Sequence, residues 1–454
     1  MDFFSYQDGR LACEGVDLAS LATRTGTPTY VYSASTLALH YDRLAAAFRE
    51  IDPLICFSVK SCPNVHVLRT LVQRGSGLDV VSGGELHRAR LAGCPMEKVV
   101  YAGVGKTDEE IRDALGFGAG GGAGGGARSE GEGGRGVPIF NIESEPEFQT
   151  IAGIARSLGV TATAALRVNP DVDPKTHAYT TTGKKETKFG VDLERARAFF
   201  RRFGHEKHLR LTGIHLHIGS PVSETEPYVQ AVTRTLELID DLAREGMKID
   251  TLDLGGGFAA DYQTGASPAA ADYAAAIVPL LRSRAGEGGL RFILEPGRSI
   301  AANAGVLLTR VLYVKESGRR KFIVCDAGMN TLIRPALYGS FHFVWPVTVA
   351  DAHVPPARTE RPPLEGLEPC DVVGPLCESG DFLAKDRPLP PVARGDLLAV
   401  FGAGAYGMSM ASRYNSHPLP AEVLVENDRA RIIRRRETYA DLTRHEEGTQ
   451  EVPV

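Results

Sequence analysis

From about residue 50 onward, short runs rich in β-branched and other apolar residues alternate with stretches whose apolar positions recur at helical spacing. The runs fall at 54–60, 77–81, 98–102, 137–142, 162–168, 211–218, 249–254 and 291–294. Strands interleaved with helices predict parallel βαβ units, and eight of them over roughly 240 residues have the size and rhythm of a (β/α)8 barrel. An open doubly wound sheet would give the same local pattern. After residue 296 the long helical stretches cease, and strand-like runs AGVLLTRVLYVKE, KFIVCDA, CDVVGPL, DLLAVF and AEVLVE follow with proline-rich breaks between them. The pattern therefore predicts an α/β chain, with a barrel over 33–295 and a C-terminal β-rich domain over 296–438. The charged stretch 439–454 reads as a flexible tail.

Glycine supplies twelve of the 21 residues from Gly116 to Gly136, so this stretch cannot build a core. It falls after a helix and before a strand, which in a barrel is the face opposite the active site, and it is expected to be a disordered insertion without a catalytic part.

A chain of 454 residues exceeds what one hydrophobic core supports, and 43% hydrophobic with 24% charged residues are globular values. The net charge of −5, from 51 basic and 56 acidic residues, provides no basic excess for nucleic acid or an anionic membrane and favours a small-molecule partner. The sequence shows no signal-peptide pattern and no long apolar run, so a cytoplasmic protein is expected. Seven cysteines without CxxC spacing read as reduced thiols.

The C-terminal ends of barrel strands carry the active site, and reactive side chains collect at those ends here. Strand one ends in CFSVK, where alternation puts Cys56, Ser58 and Lys60 on one face. A lysine at the mouth of a barrel is a candidate nucleophile for an aldehyde, and equally a candidate ion pair with a rim carboxylate. After strand two, Ser82 and Glu85 have capping-box spacing. Strand three runs into YAGVGKT, which has the tail of a phosphate loop but lacks its first glycine. Strand six carries His215 and His217 two apart. Such a pair can ligate zinc, yet the other histidines do not fall at later strand ends, so no metal is expected; a core histidine or an imidazole stacked on an aromatic cofactor are the alternatives. Strand seven leads into Gly255, Gly256 and Gly257, and strand eight into Glu295, Pro296, Gly297 and Arg298. Glycine backbone and a fixed cation after strands seven and eight suit a phosphate.

An amine, a flat ring, a phosphate cradle and a carboxylate together match the needs of pyridoxal 5'-phosphate. Lys60 would take the aldehyde, His217 the ring face, Gly255 to Gly257 with Arg298 the phosphate, and Glu295 the pyridine nitrogen. In the second domain FGAGAYG has the form G-x-G-x-x-G, but Pro418 and Pro420 leave no room for a crossover helix, so a dinucleotide site is not expected.

The order of FSVKSCPN, GLDVVSGGEL, LRVNPDVDPKTHAYTTTGKKETKFG, HLHIGS, DLGGGF, EPGRS, DAGMNTLIRPALYGSFH, CESGD and GAYG resembles the fold-type III pyridoxal phosphate decarboxylases, and within them the diaminopimelate decarboxylases. The resemblance spans nearly the whole chain. It implies an alanine-racemase-like barrel, residues 1–32 joined to the β-rich domain, and a homodimer with shared active sites. It further implies that Ser220, Pro296, Gly297 and Tyr406 join the cofactor site, that Cys377 from the partner chain donates a proton, and that Arg298, Arg334, Tyr338, Glu378 and Tyr406 contact substrate. Two features depart from the family pattern: the residues around Lys60, where many members have tyrosine, alanine and asparagine, and the glycine-rich insertion.

The implied reaction is decarboxylation of meso-2,6-diaminopimelate to L-lysine and carbon dioxide. Arg334 suits a second carboxylate and Glu378 a distal ammonium. The competing readings are decarboxylation of ornithine or arginine, a racemase on the same fold, and a non-catalytic cofactor-binding regulator.

Overall fold

The computed structural model describes residues 2–116, 137, 139–173, 188–260, 262 and 268–448. Residues 117–136 of the glycine-rich stretch lie outside the described residues. The chain divides into two units, one of residues 38–259 and 267–299, the other of residues 1–37, 260–266 and 300–454.

In the first unit the eight expected strands form at Leu54–Ser58, Gly77–Val80, Val99–Tyr101, Ile139–Ile142, Ala162–Asn169, Leu209–Leu216, Thr251–Asp253 and Arg291–Leu294. Each pairs in parallel with the next, and the eighth pairs with the first, so the sheet closes and the open-sheet alternative is excluded. Cys56, Val100, Ile139, Ala165 and Ile293, from strands one, three, four, five and eight, pack into one buried cluster. Helices between strands start where the side chains dictate. Asn64, Ser82, Thr107, Ser144 and Asp192 each cap a helix by accepting a backbone N–H of its first turn.

Two details differ from simple alternation. Strand one stops at Ser58, and Val59–Ser61 form a single 3-10 turn closed by Cys62 N–H to Val59 O at 3.0 Å and Ser61 Oγ to Ser58 O at 2.7 Å. Lys60 therefore stands on a turn, not on the inward face of the strand. Strand six likewise stops at Leu216, which leaves His215 in the strand and His217 just beyond it.

The phosphate-loop-like YAGVGKT is structural. The Lys106 side chain is fully buried and donates to Gly103 O, Asn141 O and Glu147 Oε1, while Thr107 opens a capping box.

The second unit is a mixed sheet in the order Phe382–Leu389, Glu368–Val373, Arg320–Cys325, Gly305–Ser317, Thr29–Ser33, Ala421–Glu426, Arg429–Arg434. Thr29–Ser33 lies antiparallel to Gly305–Ser317 and parallel to Ala421–Glu426, so an N-terminal strand completes this sheet. In FGAGAYG the glycines serve close packing: a Cβ on Gly404 would lie 2.0 Å from Ala301 O. A single 3-10 turn, Met408–Met410, follows instead of a crossover helix. Within the stretch expected to be a tail, Tyr439–Thr443 form a short helix capped by Thr438. Among the described residues no helix is long and apolar enough to cross a membrane.

Candidate active site

Strand alternation sends Ser58 and Asp79, which sit opposite one another in the register of strands one and two, to the same side of the sheet. Asp79 Oδ2 accepts from Ser58 Oγ and from Lys60 Nζ, the latter at 3.1 Å. The Asp79 side chain has no exposed surface, while that of Lys60 is 38% exposed. The ion-pair alternative for Lys60 is thus realised. Nearby, Glu85 accepts the Val81 N–H at 2.9 Å rather than that of the Ser82 cap, so only half of the expected capping box forms. Burial, with the Asp79 charge adding to it, pushes the Glu85 carboxyl up to about 7.

The glycine run after strand seven is required by close approach. A Cβ on Gly255 would lie 2.0 Å from Leu216 O, on Gly256 2.2 Å from Glu295 O, and on Gly257 2.3 Å from Gly219 O. Gly255 and Gly257 also have positive φ, at 66° and 100°. These contacts bring the ends of strands six, seven and eight together. There Gly256 N–H donates to His217 Nδ1 at 3.3 Å, and Arg298 Nε donates to Ser220 Oγ at 3.1 Å. Arg298 is buried, and the Ser299 hydroxyl beside it is buried without a hydrogen-bond partner. His217 is held well below the usual imidazole range by burial and by the positive charges of Arg167 and Lys60, so its ring is neutral. Pro296 and Gly297 are also buried; a Cβ on Gly297 would lie 2.9 Å from Ser58 Cβ.

Across the strand ends lies a buried polar group. Asn141 Nδ2 donates to Asp253 Oδ2 at 3.0 Å and to Glu295 Oε1 at 3.1 Å, and His215 Nε2 lies 3.3 Å from Glu295 Oε2. Burial raises both carboxyls, with the Glu295 charge adding to it at Asp253 and the Asp79 charge at Glu295, and burial lowers His215 to about 4. Behind them Arg167 pairs with Glu143 at 3.2 Å, both buried. His215, Asp253 and Glu295 have metal-like spacing, their ligand atoms all within 4.8 Å of one another. The Asn141 amide donates to one oxygen of each carboxylate.

The remaining expected residues belong to the second unit. Arg334 is buried there, donates to Ser340 Oγ at 3.2 Å and to His342 Nε2 at 3.4 Å, and lies 4.9 Å from the Tyr262 ring centre. His342 faces Phe401 O with its other nitrogen, which fixes a neutral tautomer. Tyr338 is half-buried at the end of the short helix Arg334–Tyr338. Cys377 is exposed and its N–H donates to Asn415 Oδ1 at 3.2 Å, while Glu378 accepts from the Tyr414 hydroxyl. Tyr406 takes a positive φ of 56°. Asp381 holds the CESGD turn by accepting the N–H groups of Met329 and Leu376, both at 2.6 Å.

Sequence reading passed over Asp79, Asn141 and Asp253. Each is a polar residue at the end of a barrel strand and points to the face that the alternation assigns to the lumen, which was the available signal.

A model of the family described as "Pyridoxal-dependent decarboxylase, pyridoxal binding domain" matches residues 35–302. The chain is 45% identical to a diaminopimelate decarboxylase of Pseudomonas aeruginosa over 97% of its own length and 98% of that protein's, and 43% identical to one of Aquifex aeolicus over 96% of each. Among solved structures, it superposes with a TM-score of 0.83 on diaminopimelate decarboxylase from Helicobacter pylori complexed with L-lysine, at 37% identity, covering 95% of this chain and 99% of that one.

Proposed function

The chain belongs to the pyridoxal-dependent decarboxylases and, among them, to the diaminopimelate decarboxylases, and from that footing we propose how its residues divide the work. It is a carboxy-lyase that converts meso-2,6-diaminopimelate to L-lysine and carbon dioxide, the last step of lysine biosynthesis, with pyridoxal 5'-phosphate as cofactor.

The residues fit that cofactor. The Ser299 hydroxyl and Asp79 Oδ1 are buried polar atoms without partners, and the Gly255–Gly257 backbone is kept bare by contacts that no side chain would permit. When bound, pyridoxal phosphate supplies an electron-poor ring that accepts the electron pair left at Cα as carbon dioxide departs. Lys60, its nitrogen held by Asp79, would offer its amine to the cofactor aldehyde. Arg298, Ser220 and the backbone from Gly255 to Gly257, together with the Pro296–Gly297 turn, hold the phosphate. His217, neutral, would lie against the ring face, and Glu295 would keep a proton on the ring nitrogen.

In the same reading Cys377 of the partner chain delivers the proton to Cα, in a cytoplasmic homodimer with shared active sites. Arg298, Arg334, Tyr338, Glu378 and Tyr406 bind the substrate. Arg334 takes the distal carboxylate and Glu378 the distal ammonium, while Tyr406 also touches cofactor.

The observation that carries the residue assignment is the convergence of Lys60, the Ser220–Arg298 pair and Glu295 at the strand ends of one closed barrel. The test is carbon dioxide release from meso-diaminopimelate by the wild type and by Lys60→Ala, with L-ornithine and L-arginine as rival substrates. Borohydride reduction followed by mass spectrometry should place the cofactor on Lys60. Faster turnover of either rival, or an adduct elsewhere, would overturn the reading.

A further inference from the structure

Asp253 touches two things at once. Its Oδ1 accepts the N–H of Gly255 at 2.9 Å, and its Oδ2 shares the Asn141 amide with Glu295. It is therefore the side chain that connects the first residue of the glycine run to the carboxylate opposite the ring nitrogen. Asp253 and Glu295 are both buried, and two carboxyls this close and out of water do not ionise together; one keeps a proton. The surroundings decide which. Burial and the Asp79 charge raise Glu295 while the positive charges of Lys60 and Arg167 lower it, burial and the Glu295 charge push Asp253 up, and the hydrogen bond between the two carboxyls lowers Glu295 and raises Asp253.

We propose that Asp253 is a positioning residue for the decarboxylation, carrying the one proton of the Asp253–Glu295 pair so that Glu295 meets the ring nitrogen as the anion, and tying that carboxylate to the Gly255 end of the phosphate cradle. The proposal rests on the assignment of Glu295 to the ring nitrogen. A neutral Asp253 acts as a hydrogen-bonding group and not as a charge, so Asn serves in its place. In Asp253→Asn the side-chain oxygen still accepts from Gly255, and the new amide donates to Glu295. Asn141 Oδ1, which is buried without a partner, turns to accept from that amide, and the new amide's donation to Glu295 replaces the one that Asn141 gives up.

The experiment is nitrogen NMR of the holoenzyme reconstituted with pyridoxal phosphate labelled at the ring nitrogen, alongside kcat, KM and the cofactor dissociation constant. The proteins are wild type, Asp253→Asn, Asp253→Ser and Glu295→Gln. Wild type and Asp253→Asn are expected to show the protonated ring nitrogen, with kcat within about fivefold. Asp253→Ser, which breaks both links, should shift the nitrogen signal toward the unprotonated form and lower kcat by about ten- to a hundredfold, as loss of an orienting partner does. Its cofactor dissociation constant should also rise. Should Asp253→Asn lose the ring proton as fully as Glu295→Gln does, Asp253 is the anion and the proposal is wrong. Wild-type signal and cofactor affinity in Asp253→Ser would equally remove it. If Asp253→Ser does not fold, the near-isosteric Asn variant decides. A Glu295→Gln enzyme with an unchanged nitrogen signal would instead sink the assignment of Glu295, and the Asp253 proposal with it.

Discussion

The Lys60 ammonium and the Asp79 carboxylate lie 3.1 Å apart across the ends of strands one and two, with the Asp79 side chain wholly buried and that of Lys60 partly exposed. The pair sets the electrostatics of the mouth of the barrel, because Asp79 raises its carboxyl neighbours and Lys60 lowers them.

Glu85 is one of those neighbours. Its folded value near 7 stands above the ordinary 4.5, so the stability contributed by its protonated form is present below pH 4.5 and is lost as pH rises through 7. Glu85→Gln keeps an acceptor for the Val81 N–H and does not titrate. It should match the wild type at low pH and exceed it by roughly 1–3 kcal/mol above neutrality. Urea unfolding at pH 5 and pH 8 measures the difference.

His215 titrates in the opposite sense. Burial depresses it to about 4, so the stability of its neutral form is complete above its ordinary value of 6.5 and is lost as pH falls toward 4. His215→Gln should therefore move the acid-unfolding midpoint to lower pH, with a relative gain of roughly 2–3 kcal/mol at pH 4. Circular dichroism along an acid titration reads it.

Gly256 has an ordinary φ, so any cost of Gly256→Ala comes from space alone: the added methyl would meet Glu295 O at 2.2 Å. Forcing the loops after strands seven and eight apart should cost about 1–3 kcal/mol in urea unfolding and weaken cofactor binding at least tenfold.

Cys377→Ala should keep the colour of bound cofactor while the rate of L-lysine formation falls by about two to four orders of magnitude, the usual worth of a positioned proton donor. Absorbance and carbon dioxide release on the same sample separate the two effects.

The periodicity of the chain determined the eight strand–helix units of the first domain. Eight apolar runs bounded by caps such as Asn64, Ser144 and Asp192 specify strands and helices locally, and parallel strands joined by helices have few ways to be covered on both faces. Lys60, His217, the glycine run and Arg298 were legible for the same reason, because each follows a strand end. Short or interrupted strands in the second unit, Val344–Pro346, Phe382–Leu389 with its Pro388, and the exposed, arginine-rich Arg429–Arg434, carry too little apolar signal to be read locally. Packing alone decided closure of the sheet, the turn that lifts Lys60 off strand one, and the meeting of Asn141, Asp253 and Glu295 from strands four, seven and eight. Residues more than a hundred positions apart, such as Asn141 with Asp253 and with Glu295, share a hydrogen bond only when the barrel brings their strand ends within reach and shuts water out, and neither condition is written in any local stretch of sequence.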